Sequence, residues 1–310
     1  MLKDLDLDAI GKLSKIILYN NKSGISDISI TSLTQWAKPL DAKYIYVNNA
    51  LFVFFTYHNG KRYLVEPLMN GMNTEAISTI TGMYPDTAFI TVSQAIKDTL
   101  YSLFGERYIY YDMVNYYDYI YTTTEIISPD YINLLDTKFR REYLRRMHKN
   151  NKIEFNEYSN EIPDDVWDFI SKSYAQLKQD KYNLLYKEYN GVKSLLGNLH
   201  KIESSRFGVM RLNGRVAGAL CIGKINEGCC DITFIKNDHE IRGTSILLLH
   251  TGLSALASEY TYYNFQEDMG MPGLKKFKER LRPAYKLPKF FIVPKGQAVD
   301  DEMLKELGCL

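Results

Sequence analysis

The stretch Asn264–Pro283, NFQEDMGMPGLKKFKERLRP, places two adjacent carboxylates between a predicted strand and a basic segment. Glu267 and Asp268 follow the strand predicted at Tyr262–Gln266, and α/β proteins bind ligands at the carboxyl ends of strands. A carboxylate with a raised pKa at that position could deprotonate an amine or a hydroxyl group. We therefore predict Glu267 and Asp268 as catalytic residues and Asn264 as a substrate-binding residue. The alternative is that Asp268 only caps the following helix.

The residues after the carboxylates combine flexible backbone with positive charge. Gly270 and Gly273 permit tight turns or a close backbone approach. A helix that begins at Gly273 would direct free amides toward a ligand, with Lys275 and Lys278 beside them. This arrangement suits a phosphate-bearing molecule such as coenzyme A, the acceptor stem of a tRNA or a phospholipid head group. The alternative is that the lysines form a solvated face.

A second candidate anion site is the junction Phe234–Ser245, FIKNDHEIRGTS. A strand ends there, a polar turn follows, and a long apolar helix is predicted over Gly243–Tyr260. Because the first amides of a helix have no partner within it, this start can bind an anion. We predict Arg242, Gly243, Thr244 and Ser245 as cofactor-binding residues, against the alternative of an ordinary helix start.

A third basic element is the helix predicted at residues 135–152. Arg141 and Arg145 are four residues apart and share one face of that helix. Guanidinium groups on one face can bind phosphates or pair with acidic groups. Both arginines are predicted to bind substrate, although a solvated basic helix explains the same pattern.

The motif around the two carboxylates resembles the family that contains the C-terminal domain of phosphatidylglycerol lysyltransferases. Members of that family show a strand ending in Asn-x-x-x-Asp, then Gly-x-x-Gly-Leu, then a basic helix that closes in a Pro-containing turn. The positions that carry the resemblance in this chain are Asn264, Asp268, Gly270, Gly273, Leu274, Lys275, Lys278 and Pro283.

The resemblance implies two acyltransferase domains of the GNAT type in tandem. It implies transfer of an acyl or aminoacyl group from an acyl-CoA or an aminoacyl-tRNA to an amine or hydroxyl acceptor, which could be a small molecule, a peptide or a nucleic acid. In GNAT proteins the junction before the long helix binds the pyrophosphate of coenzyme A through Gln/Arg-x-x-Gly-x-Gly/Ala. Here Gly243 matches the first glycine, but Glu240 and Ser245 depart from the pattern, which weakens the case for coenzyme A.

The order of predicted elements supports an α/β (α+β) fold of two GNAT-like domains, each with a mixed, mostly antiparallel sheet flanked by helices. Ser128-Pro129-Asp130 combines an N-cap residue with a proline at the first turn of a helix. We therefore place a degenerate domain at residues 1–128 and the domain with the active cleft at residues 129–310. The strand predicted at Tyr117–Thr123 would close the first domain, and Phe290–Val293 would be the last strand of the second.

Composition sets wider limits on function. The chain has 310 residues, a formal net charge of +1 and four cysteines without metal-ligand spacing. We expect no metal, and the cysteine pattern is typical of a reduced, cytoplasmic protein. No eighteen apolar residues run together, so no membrane span is expected. This argues against a complete lipid-modifying enzyme and favours a soluble relative, whose oligomeric state the sequence leaves open.

A rival interpretation is a GNAT-type scaffold that has lost catalysis. Basic residues concentrate in Lys138–Lys152 and Lys275–Lys289, and together these stretches could form a groove for RNA or DNA. An anion pocket that faces a carboxylate would favour the enzyme. A filled pocket beside a continuous basic surface would favour the binding protein.

Overall fold

The computed structural model describes residues 1–134, 137–175 and 184–309. The elements in the first part of the chain are β1 (Lys3–Asp4), α1 (Leu7–Asn20), α2 (Ile30–Trp36), β2 (Lys43–Val47), β3 (Ala50–Thr56), β4 (Arg62–Leu64), β5 (Leu68–Met69), α3 (Thr74–Met83), β6 (Ala88–Val92), α4 (Gln94–Phe104), β7 (Tyr108–Asp112), β8 (Asp118–Thr122) and α5 (Thr123–Ile127). The remaining elements are α6 (Lys138–Asn150), β9 (Ile153–Tyr158), α7 (Asp164–Ala175), α8 (Leu184–Leu196), β10 (Ser205–Leu212), β11 (Arg215–Asn226), β12 (Cys229–Asn237), α9 (Thr244–Leu256), β13 (Tyr262–Asn264), α10 (Pro272–Arg280), β14 (Tyr285–Leu287), β15 (Phe290–Pro294) and α11 (Asp301–Glu306).

Two mixed sheets flanked by helices confirm the predicted fold class. The first sheet has the order β1-β2-β3-β4-β6-β15-β7, with β5 also paired to β3. The second has the order β14-β8-β13-β12-β11-β10-β9. In each sheet one parallel pair interrupts antiparallel neighbours, β4 with β6 in the first and β12 with β13 in the second. None of the described helices is both long and apolar enough to cross a membrane.

Each sheet contains one strand from the other half of the chain. β8, expected to close the first domain, lies between β13 and β14 of the second sheet. β15, expected to end the second domain, lies between β6 and β7 of the first. Both expectations were wrong because local patterning identifies a strand without identifying its partners. The boundary at residues 128 and 129 stays a prediction.

The second sheet follows from a regular meander in the sequence. β10 and β11 are joined by Asn213-Gly214, and both residues have the positive φ that a tight hairpin turn requires. The apolar helix α9 covers one face of this sheet and buries Leu247, Leu248 and Leu249 completely. The opposite face shares one hydrophobic core with the first sheet and with helices α1, α2, α7 and α8.

The parallel pair in the second sheet is short and then separates. β13 pairs with β12 only from Tyr262 to Asn264, opposite Cys229 to Asp231. Beyond Asp231, β12 continues to Asn237, whereas the chain after β13 follows β8. An opening therefore forms between the two strands directly before Glu267, which is where the sequence predicts the active cleft.

At Gly223 the two halves of the chain pack so closely that there is no room for a methyl group. A Cβ at Gly223 would lie 1.9 Å from Oγ1 of Thr31 and 2.7 Å from Oδ1 of Asp231. We expect Gly223→Ala to destabilise the fold by about 1–3 kcal/mol, because such overpacking must displace α2 from β11. Urea unfolding measures this, with Gly11→Ala as the matched control.

A Cβ at Gly11 meets nothing within 4 Å, and the residue lies inside α1. Alanine there should stabilise the protein by about 0.4–1 kcal/mol. Equal stability of the Gly223→Ala variant and the wild type would contradict the packing of α2 against β11.

Candidate active site between the two sheets

A fully buried lysine joins the two halves of the chain at the opening after β13. Lys289, directly before β15, places its Nζ 2.5 Å from Oδ2 of Asp27, 2.7 Å from Oδ1 of Asp118 and 3.5 Å from Oε2 of Glu267. The side chains of Lys289 and Asp118 are 0% exposed, whereas Asp27 and Glu267 are 26% and 22% exposed. The cluster therefore has a dry side and a side that water or a ligand can reach.

Asp118 accepts hydrogen bonds from both halves of the chain. The backbone amide of Ser26 donates to Oδ2 at 2.9 Å, and Nδ2 of Asn264 donates to the same oxygen at 2.8 Å. Asn264 also donates to the carbonyl of Gly24 at 2.9 Å. Asn264 therefore connects the second sheet to the loop before α2, and its role in substrate binding stays a prediction.

The charges in this cluster favour the binding of a further cation. Burial lowers the pKa of the Lys289 ammonium, but Asp118, Asp27 and Glu267 outweigh it and hold that pKa well above its ordinary value. Burial raises the pKa of Asp27 to about 6, against the opposing attraction of Lys289.

Glu66 extends the acidic side of the cluster from the first sheet. It is buried and accepts hydrogen bonds from the amide and hydroxyl of Ser93 at 2.7 and 2.8 Å. Burial raises its pKa to about 7, and the nearby charge of Asp27 adds to the shift. Asp27 and Glu66 are thus held partly protonated near neutral pH, and a cation between them would favour their ionised forms.

The two predicted catalytic carboxylates have different surroundings. Asp268 is 3% exposed; it accepts from the Tyr119 hydroxyl at 2.5 Å and from the amide of Gly270 at 2.8 Å. Its carboxylate closes the turn before α10 but does not cap that helix, whose N-cap position is Met271 with no side-chain cap hydrogen bond. Glu267 is more accessible and faces Lys289, so the geometry favours Glu267 over Asp268 as a proton acceptor.

Lys278 does not lie on the exposed face of α10. Its side chain is 3% exposed, and Nζ donates to the carbonyls of Phe265, Gln266 and Glu267. These acceptors occupy the ammonium group, which corrects the expectation that Lys278 binds a phosphate of the cofactor. Lys275, by contrast, is exposed at the start of α10 and stays a candidate for anion binding.

A cavity of about 230 Å³ lies at the start of α9. Arg242, Gly243 and Ser245 line it together with Arg280 of α10 and Tyr143 of α6. The structure therefore brings three of the predicted anion-binding residues into one concave site, and Thr244, Lys275 and Lys278 do not line it. Leu144 and Met147 lie 3.5 and 3.4 Å from where a Cβ of Gly243 would stand, so α6 covers this helix start closely.

The hydroxyl groups at this helix start point into the protein. Thr244 is 1% exposed and its Oγ1 donates to the carbonyl of Asp238, while Oγ of Ser245 donates to Asn237 at 3.1 Å. Anion binding at this cavity would therefore depend on backbone amides and on the arginines. Of the two arginines predicted on α6, Arg145 pairs with Glu142 at 2.6 Å, and Arg141 is half-buried.

Sequence reasoning missed Asp27, Glu66, Asp118 and Lys289. Asp118 carried one usable signal, since it is an acidic residue within the aromatic strand sequence DYIYT. A charge inside such a strand is buried only with a partner. Asp27 lies in a three-residue 3₁₀ helix, and Glu66 and Lys289 lie in loops beside strands, where no periodicity distinguishes a functional side chain from a solvated one.

Comparison with known proteins agrees with this architecture. Residues 21–293 match the sequence pattern of the family described as phosphatidylglycerol lysyltransferase, C-terminal. No curated protein matches the chain in sequence. A conserved protein of unknown function from Bacteroides thetaiotaomicron superposes with a TM-score of 0.79 at 19% identity, covering 95% of this chain and 99% of that one.

Two further solved structures have the same fold. L-PGS from Bacillus licheniformis superposes with a TM-score of 0.64 at 13% identity, covering 98% of both chains. The C-terminal domain of a protein named as a lysylphosphatidylglycerol synthetase from Agrobacterium fabrum gives 0.65 at 12% identity, covering 93% of this chain and 92% of that one. These likenesses describe the fold, and the family match supports acyl or aminoacyl transfer as the general kind of activity. The chain belongs to the phosphatidylglycerol lysyltransferase C-terminal family.

Proposed function

We propose that this protein transfers a positively charged aminoacyl group from an aminoacyl-tRNA to a hydroxyl or amine acceptor. The observation that carries the proposal is the excess of carboxylates over the ammonium of Lys289: Asp27 and Glu267 lie on the accessible side of the cluster, and the buried Glu66 lies near Asp27. An acetyl group offers nothing to such a surface. The amino group of an aminoacyl ester would neutralise it and form charge-assisted hydrogen bonds.

The donor would bind on the α9 side of the second sheet. The cavity lined by Arg242 and Arg280 suits a phosphate group, and its volume of about 230 Å³ is small for a complete coenzyme A. A tRNA would place one phosphate there and extend the acceptor end through the opening between β12 and β13. Acyl-CoA is the alternative donor.

Glu267 would act as the general base in this reaction. As the acceptor oxygen or nitrogen attacks the ester carbonyl, its proton passes to the Glu267 carboxylate. The tetrahedral intermediate then expels the ribose oxygen of the donor, which takes the proton. Lys289 lies 3.5 Å from Oε2 of Glu267 and holds this carboxylate in place between turnovers.

The rival nucleic-acid-binding function receives less support from the geometry. Lys278 and Lys289, two of the lysines in the basic stretch Lys275–Lys289, are buried in internal contacts. The proposed groove therefore loses part of its charge. A cavity is present at Gly243, which favours the enzyme, but none of the described residues that line it is a carboxylate, so it meets only part of the criterion.

Donor consumption tests the proposed reaction directly. The protein is incubated with radiolabelled lysyl-tRNA, alanyl-tRNA or acetyl-CoA, together with amines, peptides or phosphatidylglycerol vesicles as acceptors. We expect lysyl-tRNA to be consumed faster than in the absence of protein, and label to appear in one acceptor class. Consumption of acetyl-CoA alone would favour the alternative donor. If no donor is consumed and lysyl-tRNA still binds with a steep salt dependence, the binding function is correct.

The acidic cluster also predicts how affinity for a cation depends on pH. Because burial raises the pKa of Asp27 to about 6 and of Glu66 to about 7, both groups must lose protons before they attract a cation fully. Affinity for 1,5-diaminopentane should therefore rise as the pH increases from 5.5 to 7.5 and then level off. Calorimetric titration measures this, with 1,5-pentanediol as the uncharged control. An affinity that falls or stays constant over this range would contradict the proposed site.

A further inference from the structure

A buried ammonium group gathers three consecutive backbone carbonyls beside the candidate site. Nζ of Lys278 donates to the carbonyl of Glu267 at 2.6 Å, to that of Gln266 at 3.2 Å and to that of Phe265. Carbonyl dipoles that converge on one point repel each other unless a cation lies between them. Lys278 therefore stabilises a backbone shape that the segment would not keep by itself.

Other contacts show that this segment, residues 264–268, is held in an unusual conformation. Gln266 has a φ of +56°, which is uncommon for a residue other than glycine. Its amide donates to Oδ1 of Asn264 at 2.7 Å, and the amide of Phe265 donates to the carbonyl of Tyr119 at 2.9 Å. Asp268 is fixed through Tyr119 on the far side of Glu267. Such local strain persists only where its surroundings enforce it.

We propose that Lys278 is a positioning residue, which fixes the backbone on both sides of Glu267 and so directs its carboxylate toward Lys289. This assignment rests on the proposed function of Glu267 as the base. Lys278 itself contacts no reacting atom in this scheme. Its effect on the reaction passes through the peptide groups of residues 265–267.

The protonation of Lys278 gives this role a measurable pH dependence. Burial lowers its pKa to about 8, although the nearby carboxylates oppose the shift. Loss of its proton removes one donor and places a lone pair against the carbonyls, so the segment should loosen above pH 8. The charged and titratable groups that face Lys278 are Glu267 and Asp268 on the segment, Asp118 and Tyr119 on β8, and Lys289 before β15. Lys289 keeps its proton there, because its own pKa is raised.

Kinetics of two variants separate positioning from a merely structural role. Lys278→Met should lower kcat about 100-fold with little change in KM, which is typical of a misplaced catalytic group. Lys278→Arg keeps the charge at all accessible pH values, so it should restore part of kcat and move the alkaline limb of the pH profile upward from about 8. Lys276→Met, an exposed neighbour on the same helix, should match the wild type.

Hydrogen exchange on the wild-type protein tests the same idea without any variant or substrate. After correction for the intrinsic rate, amides of residues 265–271 should lose protection between pH 7 and pH 9.5, while the long helix α9 keeps it. Exchange in this segment that does not change with pH, together with an unmoved alkaline limb in Lys278→Arg, would overturn the assignment. Loosening with no detectable transfer would instead show that Lys278 holds the segment and that the proposed function is wrong.

Discussion

Lys289→Met is expected to destabilise the folded protein by about 3–5 kcal/mol, since removing one partner of a buried pair leaves the other charge uncompensated. Asp118 would keep its hydrogen bonds from Ser26 and Asn264 but would lose its cation in a fully buried position. The missing cation also raises the pKa of Asp27, which Lys289 holds down in the wild-type protein. At pH 5 the folded variant binds a proton on this carboxylate, which removes one uncompensated negative charge. The loss of stability should therefore be smaller at pH 5 than at pH 8. Urea unfolding at both pH values measures the effect.

Two comparisons make this result interpretable. Lys295→Met removes a lysine that is 64% exposed and 3.8 Å from Glu106, so it should change stability by less than about 0.5 kcal/mol. In a double-mutant cycle, Lys289→Met with Asp118→Asn should be less unstable than the sum of the single changes. If Lys289→Met unfolds at the same urea concentration as Lys295→Met, the buried cluster does not hold the two halves together.

Glu267→Gln should lower the rate of transfer by about 10²–10⁴-fold, the usual contribution of a general base. The amide keeps the size of the side chain but cannot accept the proton. Stability should change little because Glu267 lies at the accessible edge of the cluster, 3.5 Å from Lys289. Initial rates with saturating donor, measured alongside urea unfolding, separate the two quantities.

Asp268→Asn provides the contrasting variant. Its carboxylate accepts from Tyr119 and Gly270 in a buried turn, so the amide would leave a hydrogen-bonding group mismatched. We expect the free energy of unfolding to fall by about 1–3 kcal/mol. The activity that is lost through unfolding should recover at lower temperature. A stable, inactive Asp268→Asn protein beside a fully active Glu267→Gln protein would identify Asp268 as the base instead.

Much of the fold could be predicted because it follows from local patterns. Short stretches of sequence are enough to predict the hairpin at Asn213-Gly214 and the apolar helix α9. The pairing of β8 and β15 could not be predicted in the same way. Aromatic or apolar segments such as DYIYT and FFIVP fit either sheet, and only the complete set of partners decides between them.

The residues of the candidate site could likewise be predicted only where a local sequence pattern indicates them. Glu267 and Asp268 were identified because a family motif and a strand end coincide there. The prediction for Lys278 was wrong because a lysine on a basic helix is usually solvated. Its neighbours in the sequence do not indicate that its ammonium group contacts three backbone carbonyls. Asp27 approaches Glu267 from the other half of the chain and Glu66 lies near Asp27, and spacing along the sequence does not reveal such contacts.

The exchanged strands have a consequence for synthesis on the ribosome. β6 and β7 emerge early, yet the strand that separates them, β15, emerges only after the entire second sheet. The nascent chain must therefore carry two unpaired strand edges for most of its translation, and such edges invite aggregation. Lys289 immediately precedes β15 and binds Asp118 at the start of β8. The ion pair that shapes the site therefore forms late in synthesis, and it links β15 in the first sheet to β8 in the second.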